Sequence, residues 1–493
     1  MANSIAELIF IPAPGVGHIM STIEIAKLLV TRDQQISITV LVIIPPPTFG
    51  SGSGSPITTY TQSLAKNTMD RISFIELPQD KTPPVSKAPI AAFADYINSH
   101  CKYVRKIVAD KMSQPDPGSG RVAGLVVDMF CTGMIDVANE FNVPTYVFFT
   151  SNAAFLGFKL YIQTLSDDKN QDVLELSNSD SMIPVPSFIK PVPTKLFPGI
   201  CQTREGLEFL LGSARKQREA KAIIVNTFLE LEKHAIDSLS EDSTIPMVYP
   251  VGPILNLEAG AGKKLGNDDI ITWLDTQPPS SVVFLCFGSM GSFDEVQVKE
   301  IANGLERSGH RFLWSLRRPP SDQTTRSPSD YEDPGTVLPE GFQERTAGIG
   351  KVTGWVPQVA VLSHGAVVGF VSHCGWNSLL ESLWFGVPSA AWPIYAEQQI
   401  NAFEMVVELG LGVEIKLDYK NEFSNPETDK VVVTADEIES GIRRLMEDKK
   451  VRKEVKEMRE KSRVAMAEGG SSYASVGRLI VDFKRNVLGH TEL

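Results

Sequence analysis

The feature that most restricts this chain is a rhythm that runs through it twice. Short apolar runs, ELIFIPA, ITVLVII, RISFIEL, VAGLVVDMF and TYVFFT, alternate with longer segments of helical spacing such as IEIAKLLV and AFADYINSHCKYVRKIV. A run that is apolar at nearly every position, rather than at every second one, belongs to a strand covered on both faces. The pattern therefore predicts βα units around a buried parallel sheet. Around IPMVYPVGPILNLEAGAGKKLGNDD the rhythm stops, and Pro, Gly and polar residues take over. It restarts with SVVFLCFGS, a helix over about 294–307, RFLWSLR, VVGFVS, a second helix and VPSAAWP. The fold class is thus α/β, with one domain over residues 1–250, a linker over 251–269 and a second domain over 270–470. In the closing segment, 471–493, Val476, Leu479, Ile480, Phe483 and Val487 share one helical face, so this helix packs against protein. GSGSGS after Phe49 and RRPPSDQTTRSPSDYEDPG read as surface loops. Each half opens with a strand and a glycine-containing turn, and a cleft between the halves is the natural ligand site.

Composition narrows the ligand. With 493 residues, 42% hydrophobic and 22% charged, the chain can bury two cores. A formal net charge of −12 and the lack of any Lys/Arg run exclude a nucleic-acid partner and favour a small molecule. Cys101, Cys131, Cys201, Cys286 and Cys374 are scattered in apolar contexts, which fits a reducing cytoplasm better than a disulfide framework. The first residues, MANSIAELIFIPAPGVGHIM, have no basic region ahead of their apolar run and do not read as a signal peptide. No apolar stretch approaches the roughly 20 residues of a bilayer span. A monomer is the default expectation.

The stretch HCGWNSLLESL, residues 373–383, concentrates hydrogen-bonding groups where a helix begins after a buried strand. A helix start offers about four unpaired N–H groups and a positive dipole end, which together suit a phosphate. Gly375 would let backbone approach a ligand, while His373, Asn377 and Ser378 add donors. Glu381 lies on the same face about one turn further on, within reach of a sugar hydroxyl beside the phosphate. A plainer reading stays open: Asn377 and Ser378 cap the helix, Trp376 is core, and Glu381 is a solvated first-turn acid. Upstream, GWVPQ places Trp355 after a short strand, and downstream AAWPIYAEQQ brings Glu397 and Gln398 just after another. Three strand ends then converge beyond one side of a sheet, where open α/β folds bind ligands.

In the N-terminal half, His18 follows the first strand, at a turn into a helix expected to start near Met20, and Asp128 closes the apolar run LVVD. Either could be a capping residue. An imidazole titrating near pH 6.5 also suits proton transfer, and an acid beside it would orient the ring.

The ordered set WVPQ, HCGWNS, the Glu of LLES, WP and EQ across 355–398 closely resembles the signature box of plant family-1 UDP-sugar-dependent glycosyltransferases. The resemblance covers most of the chain, including the PGxGH turn, the FGSM turn and a C-terminal helix that returns toward the first domain. It implies a GT-B fold: two facing Rossmann-like domains with an interdomain cleft, the donor held mainly by the second. It implies that Trp355 stacks on uracil, with the Val356 backbone and Gln358 near base and ribose, and that Glu381 binds the ribose hydroxyls. His373, Gly375, Trp376, Asn377, Ser378 and Ser289 would surround the diphosphate, and Glu397 and Gln398 would hold sugar hydroxyls. Many relatives carry Asp where this chain has Glu397, which changes the reach to the sugar. Gln398 is the closing residue usual in glucose-using members, so UDP-glucose is the expected co-substrate. The resemblance also makes His18 and Asp128 a dyad for an inverting displacement at the anomeric carbon. No metal and no permanently bound cofactor are expected, since His373 and Cys374 lack partners at ligand spacing.

The acceptor is then expected against the first domain, walled by candidates Met20, Phe93, Met129, Phe130, Phe149, Phe155 and Phe197, a surface suited to a phenolic, flavonoid or terpenoid. Three rival readings have different requirements. A nicotinamide oxidoreductase needs G-x-G-x-x-G, but GVGHIM puts Met20 at the third glycine. A glycoside hydrolase needs two carboxylates across one bond, leaving the aromatic and phosphate-binding groups idle. A non-catalytic sugar-nucleotide sensor would have no use for both His18 and Asp128.

Overall fold

The computed structural model describes residues 5–45, 69–79, 89–113, 120–257, 268–320, 327–420 and 431–488. The GSGSGS segment lies outside the described residues, as does 321–326 within the second expected loop. The strands of the two large sheets are, in chain order, β1 (Ala6–Ile11), β2 (Ile36–Val42), β3 (Ile72–Glu76), β4 (Arg121–Asp128), β5 (Thr145–Phe149), β6 (Ala222–Val225) and β7 (Met247–Pro250), then β8 (Val282–Cys286), β9 (Arg311–Ser315), β10 (Gly350–Thr353), β11 (Val367–Ser372), β12 (Ser389–Ala391) and β13 (Gly412–Glu414). The helices that matter below are α1 (Val16–Arg32), α2 (Ala153–Asp167), α3 (Glu295–Ser308), α4 (Trp376–Phe385), α5 (Gln398–Phe403) and α6 (Ser471–Leu488).

The first sheet is parallel and runs β3-β2-β1-β4-β5-β6-β7. Every residue of β1 is buried: Leu8 and Phe10 join the core on one face, Ile9 and Ile11 the core on the other. That two-sided burial is why these strands read as continuous apolar runs. The second sheet, also parallel, runs β10-β9-β8-β11-β12-β13. The helix expected over about 294–307 is α3, capped by Asp294, whose side chain accepts from the Gln297 amide.

Strand order reverses between β1 and β4 in the first sheet and between β8 and β11 in the second. At such a switch point the connections leave to opposite sides and open a crevice beyond the strand C-termini. His18 and Asp128 lie beyond β1 and at the end of β4. Ser289 and His373 lie beyond β8 and β11. The fold itself therefore puts the two candidate clusters at the two crevices.

The lobes meet around those crevices. Trp376 Nε1 donates to the Asn226 carbonyl at 2.7 Å, and Asn152 Nδ2 to Asn401 Oδ1 at 2.8 Å. The amides of Ile189 and Lys190 donate to the Glu408 carboxylate. Helix α6 lies on the first sheet, burying Val476, Leu479, Ile480, Phe483 and Val487 beside Leu8, Phe10 and Phe148. Among the described residues, no helix is long and apolar enough to cross a membrane.

Candidate active site

In the N-terminal lobe, α1 starts at Val16 rather than near Met20, so His18 sits inside its first turn and not ahead of it. Gly15 is the extended N-cap, and a Cβ there would lie 3.1 Å from His18 Cδ2, so glycine leaves the ring its place. His18 Nδ1 bonds Asp128 Oδ2 at 2.8 Å and Thr150 Oγ1 at 3.0 Å. Asp128 is buried, and its other oxygen accepts from the Phe130 amide. A carboxylate can only accept, so Nδ1 carries the proton and Nε2 presents a lone pair. The His18 side chain keeps 27% exposure, which leaves Nε2 accessible from the cleft. Burial opposes the charged ring, but the Asp128 charge and hydrogen bond, with help from Glu397, prevail and raise its pKa above 6.5.

In the C-terminal lobe, Cys374 turns the chain at φ +62°, and its carbonyl accepts from Asn401 Nδ2 at 3.0 Å. Gly375 is the extended N-cap of α4 and makes no side-chain cap. The plainer reading of this stretch holds for Trp376, which is core, but not for Asn377 and Ser378, which lie within the helix and bond elsewhere. Asn377 Nδ2 donates to Ser21 Oγ of the other lobe at 3.2 Å, and Ser378 Oγ accepts from Gln358 Nε2 at 2.9 Å. Among the described residues, no side-chain cap takes up the first N–H groups of α4. His373 packs between two glycines, Gly288 at φ +75° and Gly375, at either of which a Cβ would lie 2.6 Å from its Nε2. Burial pushes its pKa down to about 4, against a hydrogen bond to the Cys286 backbone, so at neutral pH it is an uncharged imidazole whose N–H that backbone engages. Ser289 follows at the exposed turn.

Glu381 lies on α4 beneath these groups. Burial lifts its pKa to about 7, against a hydrogen bond of 2.7 Å from Gln358 Nε2. Trp355 is 48% exposed, a large aromatic face left open, with its amide tied to Asp330 Oδ1 at 3.0 Å. Val356 beside it is buried. Glu397 accepts from Ser151 Oγ at 3.3 Å, next to the His18 neighbour Thr150. Gln398 is buried with its carbonyl oxygen on the Ile394 and Tyr395 amides, so what it can offer a ligand is its N–H donors. The Trp376 indole is core, bonded across the lobes as described above, and only its backbone amide is left for a ligand.

The two helix starts face each other closely: a Cβ on Gly17 would lie 3.5 Å from Asn377 Nδ2. Beside them stands an aromatic group. Phe130 is 5.2 Å from His18, ring centre to ring centre, with Phe93 edge-on to it at 6.0 Å and Phe209 stacked on it at 6.2 Å. These three phenylalanines are half-buried, as is Met20. Phe149 and Phe197, expected among the wall candidates, must be corrected to core: each is 0% exposed. Met129 and Phe155 are also buried, Phe155 against Phe149. Phe209, Thr150 and Ser21 escaped sequence reasoning. Phe209 sits in an ordinary amphipathic helix, Arg204–Arg218, and nothing local marks it. Among the described residues, no three His, Cys, Asp or Glu side chains stand together as a metal site.

A family model described as UDP-glucoronosyl and UDP-glucosyl transferase matches residues 9–455. The chain belongs to this family. As a UDP-glycosyltransferase it is 53% identical over 483 residues to UDP-glycosyltransferase 71A15 of Malus domestica, covering 96% of this chain and 98% of that one. It is 51% identical over 485 residues to UDP-glucose flavonoid 3-O-glucosyltransferase 6 of Fragaria ananassa, with the same coverage. The crystal structure of Medicago truncatula UGT71G1 complexed with UDP-glucose superposes with a TM-score of 0.84 at 42% identity, covering 98% of this chain and 99% of that one. The architecture is GT-B, and the protein is an enzyme that transfers sugar from a UDP-sugar. The oxidoreductase and hydrolase readings fall with that result.

Proposed function

We propose that this UDP-glycosyltransferase moves glucose from UDP-glucose to a hydroxyl of a small lipophilic acceptor, a phenolic, flavonoid or terpenoid, with inversion at the anomeric carbon. The observation that carries the proposal is the His18–Asp128 pair at 2.8 Å facing, across a narrow gap, the uncapped start of α4. His18 Nε2 takes the proton of the acceptor hydroxyl while that oxygen forms a bond to the anomeric carbon. The bond from that carbon to the diphosphate oxygen breaks, and its electron pair leaves with UDP. Asp128 holds the ring in the productive tautomer and stabilises the imidazolium that forms. Positioned base catalysis is worth about 10² to 10⁴ in rate.

The charge on the leaving diphosphate is met by the α4 amides, with Asn377 and Ser289 as further donors and His373 packed against Gly375 at the helix start. Trp355 offers the uracil face and Glu381 the ribose contact. Glu397 and the Gln398 amide address the sugar, and the open aromatic group of Phe93, Phe130 and Phe209 addresses the acceptor. Glucose as donor is supported by Gln398, by the UDP-glucose in the Medicago truncatula structure and by the name of the Fragaria ananassa relative. A cytoplasmic location is supported by the scattered free cysteines, and a monomer remains the default.

The test is to incubate the protein with UDP-glucose and a panel of phenols, flavonoids and triterpenoids, with His18→Ala as control, and to identify products by mass and anomeric configuration. A β-glucoside from the wild type alone supports the proposal. UDP binding without any turnover would return the protein to the sensor reading.

A further inference from the structure

Beyond Glu397 the chain runs through α5 into a π-turn, Glu404–Glu408. Glu397, Asn401, Glu404 and Glu408 recur there at intervals of four, three and four residues, which sets them on one helical face. That face is turned to the N-terminal lobe. Glu397 accepts from Ser151 Oγ, Asn401 from Asn152 Nδ2, and Glu408 from the Ile189 and Lys190 amides. Phe403 packs on Phe188 at 5.7 Å in the same seam. The remaining member, Glu404, hydrogen-bonds another carboxyl, that of Glu232, and the two are only 3% and 2% exposed.

A carboxylate has no hydrogen to give, so two carboxyls that bond each other hold one proton between them. Their surroundings decide which keeps it. Glu232 stands at the N-cap of its own helix, Lys233–Glu241, but makes no side-chain cap there. Its oxygens accept instead from the Ala153 and Ala154 amides at 3.0 and 2.7 Å, at the positive end of α2. Glu232 is therefore the anion. Among the described residues no donor reaches Glu404 Oε2, and burial, the Glu232 charge and then Glu408 hold the Glu404 pKa well above the usual carboxyl range. Glu404 is the acid. The turn that Glu232 grips, residues 150–154, also meets His18 through Thr150 and Glu397 through Ser151.

Resting on the donor reading above, we propose that Glu404 and Glu232 are a proton-sharing positioning pair, which docks the helix behind Glu397 and Gln398 onto the 150–154 turn and so fixes the sugar-binding groups relative to His18. The pair touches no substrate. It works while its proton is present. As pH rises through the raised Glu404 pKa, the pair becomes two buried anions and the docking is lost. The charges around it do not compensate. The first turn of α2 has none, and Glu408 is a further carboxylate. Lys190 gives its ammonium to the Val407 carbonyl and Lys233 to Asp237, while His234 bonds the Pro186 carbonyl. Tyr395, pushed up to about 12 by burial, stays neutral, and His18 sets the acid side of the profile rather than the alkaline one.

The experiment measures kcat/KM for UDP-glucose at about pH 7.5 and about pH 9.5 in wild type, Glu404→Gln and Glu404→Leu, with an aliphatic terpenoid alcohol as acceptor so that its own ionisation stays out of range. Glutamine keeps a donor toward Glu232 and has no proton to lose. Between the two pH values wild type is expected to lose about tenfold more than Glu404→Gln, the effect of ionising one group across one pH unit. Glu404→Leu, which leaves the Glu232 charge unpartnered, should lie about tenfold below wild type at the lower pH, with the alkaline loss gone. A merely structural role would lower the melting temperature of the variants and leave the pH profile in place. Equal pH ratios in wild type and Glu404→Gln overturn the inference and leave the glucosyltransferase reading standing. If wild type turns over no acceptor, that reading is at fault instead, and hydrogen exchange in a peptide spanning 150–156 decides the pair separately. Protection, taken relative to the intrinsic rate at each pH, should fall at the higher pH in wild type and hold in Glu404→Gln; the same change in both overturns the pair.

Discussion

The two helix starts that face each other across the cleft are built alike and equipped differently. Each follows a parallel strand at a switch point, and each is capped by an extended glycine, Gly15 or Gly375, without a side-chain cap. At α1 the side chains are titratable: a histidine tied to a buried aspartate, its pKa raised, with aromatic rings beside it. At α4 the histidine is buried, uncharged and pushed to about 4, and the helix amides remain open. On the proposed reading, the same half-fold serves proton transfer in one lobe and anion binding in the other. Burial and the presence or absence of a carboxylate neighbour send the two imidazole pKa values in opposite directions.

That contrast can be broken most sharply at His18. His18→Ala is expected to lower kcat by about 10²- to 10⁴-fold while UDP affinity, measured by calorimetry, stays at the wild-type value. Loss of both together would mean that the lobes do not divide the work. Asp128→Asn sharpens the point through pH. The base must be unprotonated, so wild-type activity falls as pH drops through a His18 pKa above 6.5. Removing the charge that raises this pKa moves the acid limb of kcat/KM to lower pH while the plateau drops. A limb that stays where it was assigns it to another group.

On the donor side the effects are smaller. Trp355→Ala removes a stacking face worth about 1–3 kcal/mol, or roughly 5- to 150-fold in the Kd for UDP. Wild-type affinity in this variant would exclude Trp355 from the base site. Trp376→Phe tests whether the indole is structural. Leaving the buried Asn226 carbonyl without its donor costs about 1–3 kcal/mol of stability, read as a fall in melting temperature of several degrees. A large loss of UDP affinity with no change in melting temperature would give the side chain a ligand role instead. Ser21→Ala, which cuts only the bond to Asn377 across the gap, should change stability by about 0.5–1.5 kcal/mol and kcat/KM by less than any variant above. A greater effect on turnover would show that the two helix starts are coupled.

What was legible in the sequence was local. Two-sided burial writes itself as unbroken apolar runs, and a pause in βα rhythm marks where one sheet ends and another begins. Glycine and proline at strand ends mark turns, so the α/β class, the two sheets and the strand-to-helix turn at 373–378 were all readable from neighbouring residues. The start of α1 falls at Val16 and not near Met20, because an extended glycine N-cap admits the helix earlier.

Only the tertiary structure decided which groups meet. His18 and Asp128 are separated by 110 positions, and Ser21 and Asn377 by 356. No periodicity reports such a pairing, because it depends on strand order and lobe docking, summed over the whole chain. For the same reason the structure alone showed Phe209 stacked on the Phe130 that borders His18, and Phe149 and Phe197 sealed in the core. Backbone preference is written residue by residue, while burial and charge pairing belong to a position only after distant segments have closed around it.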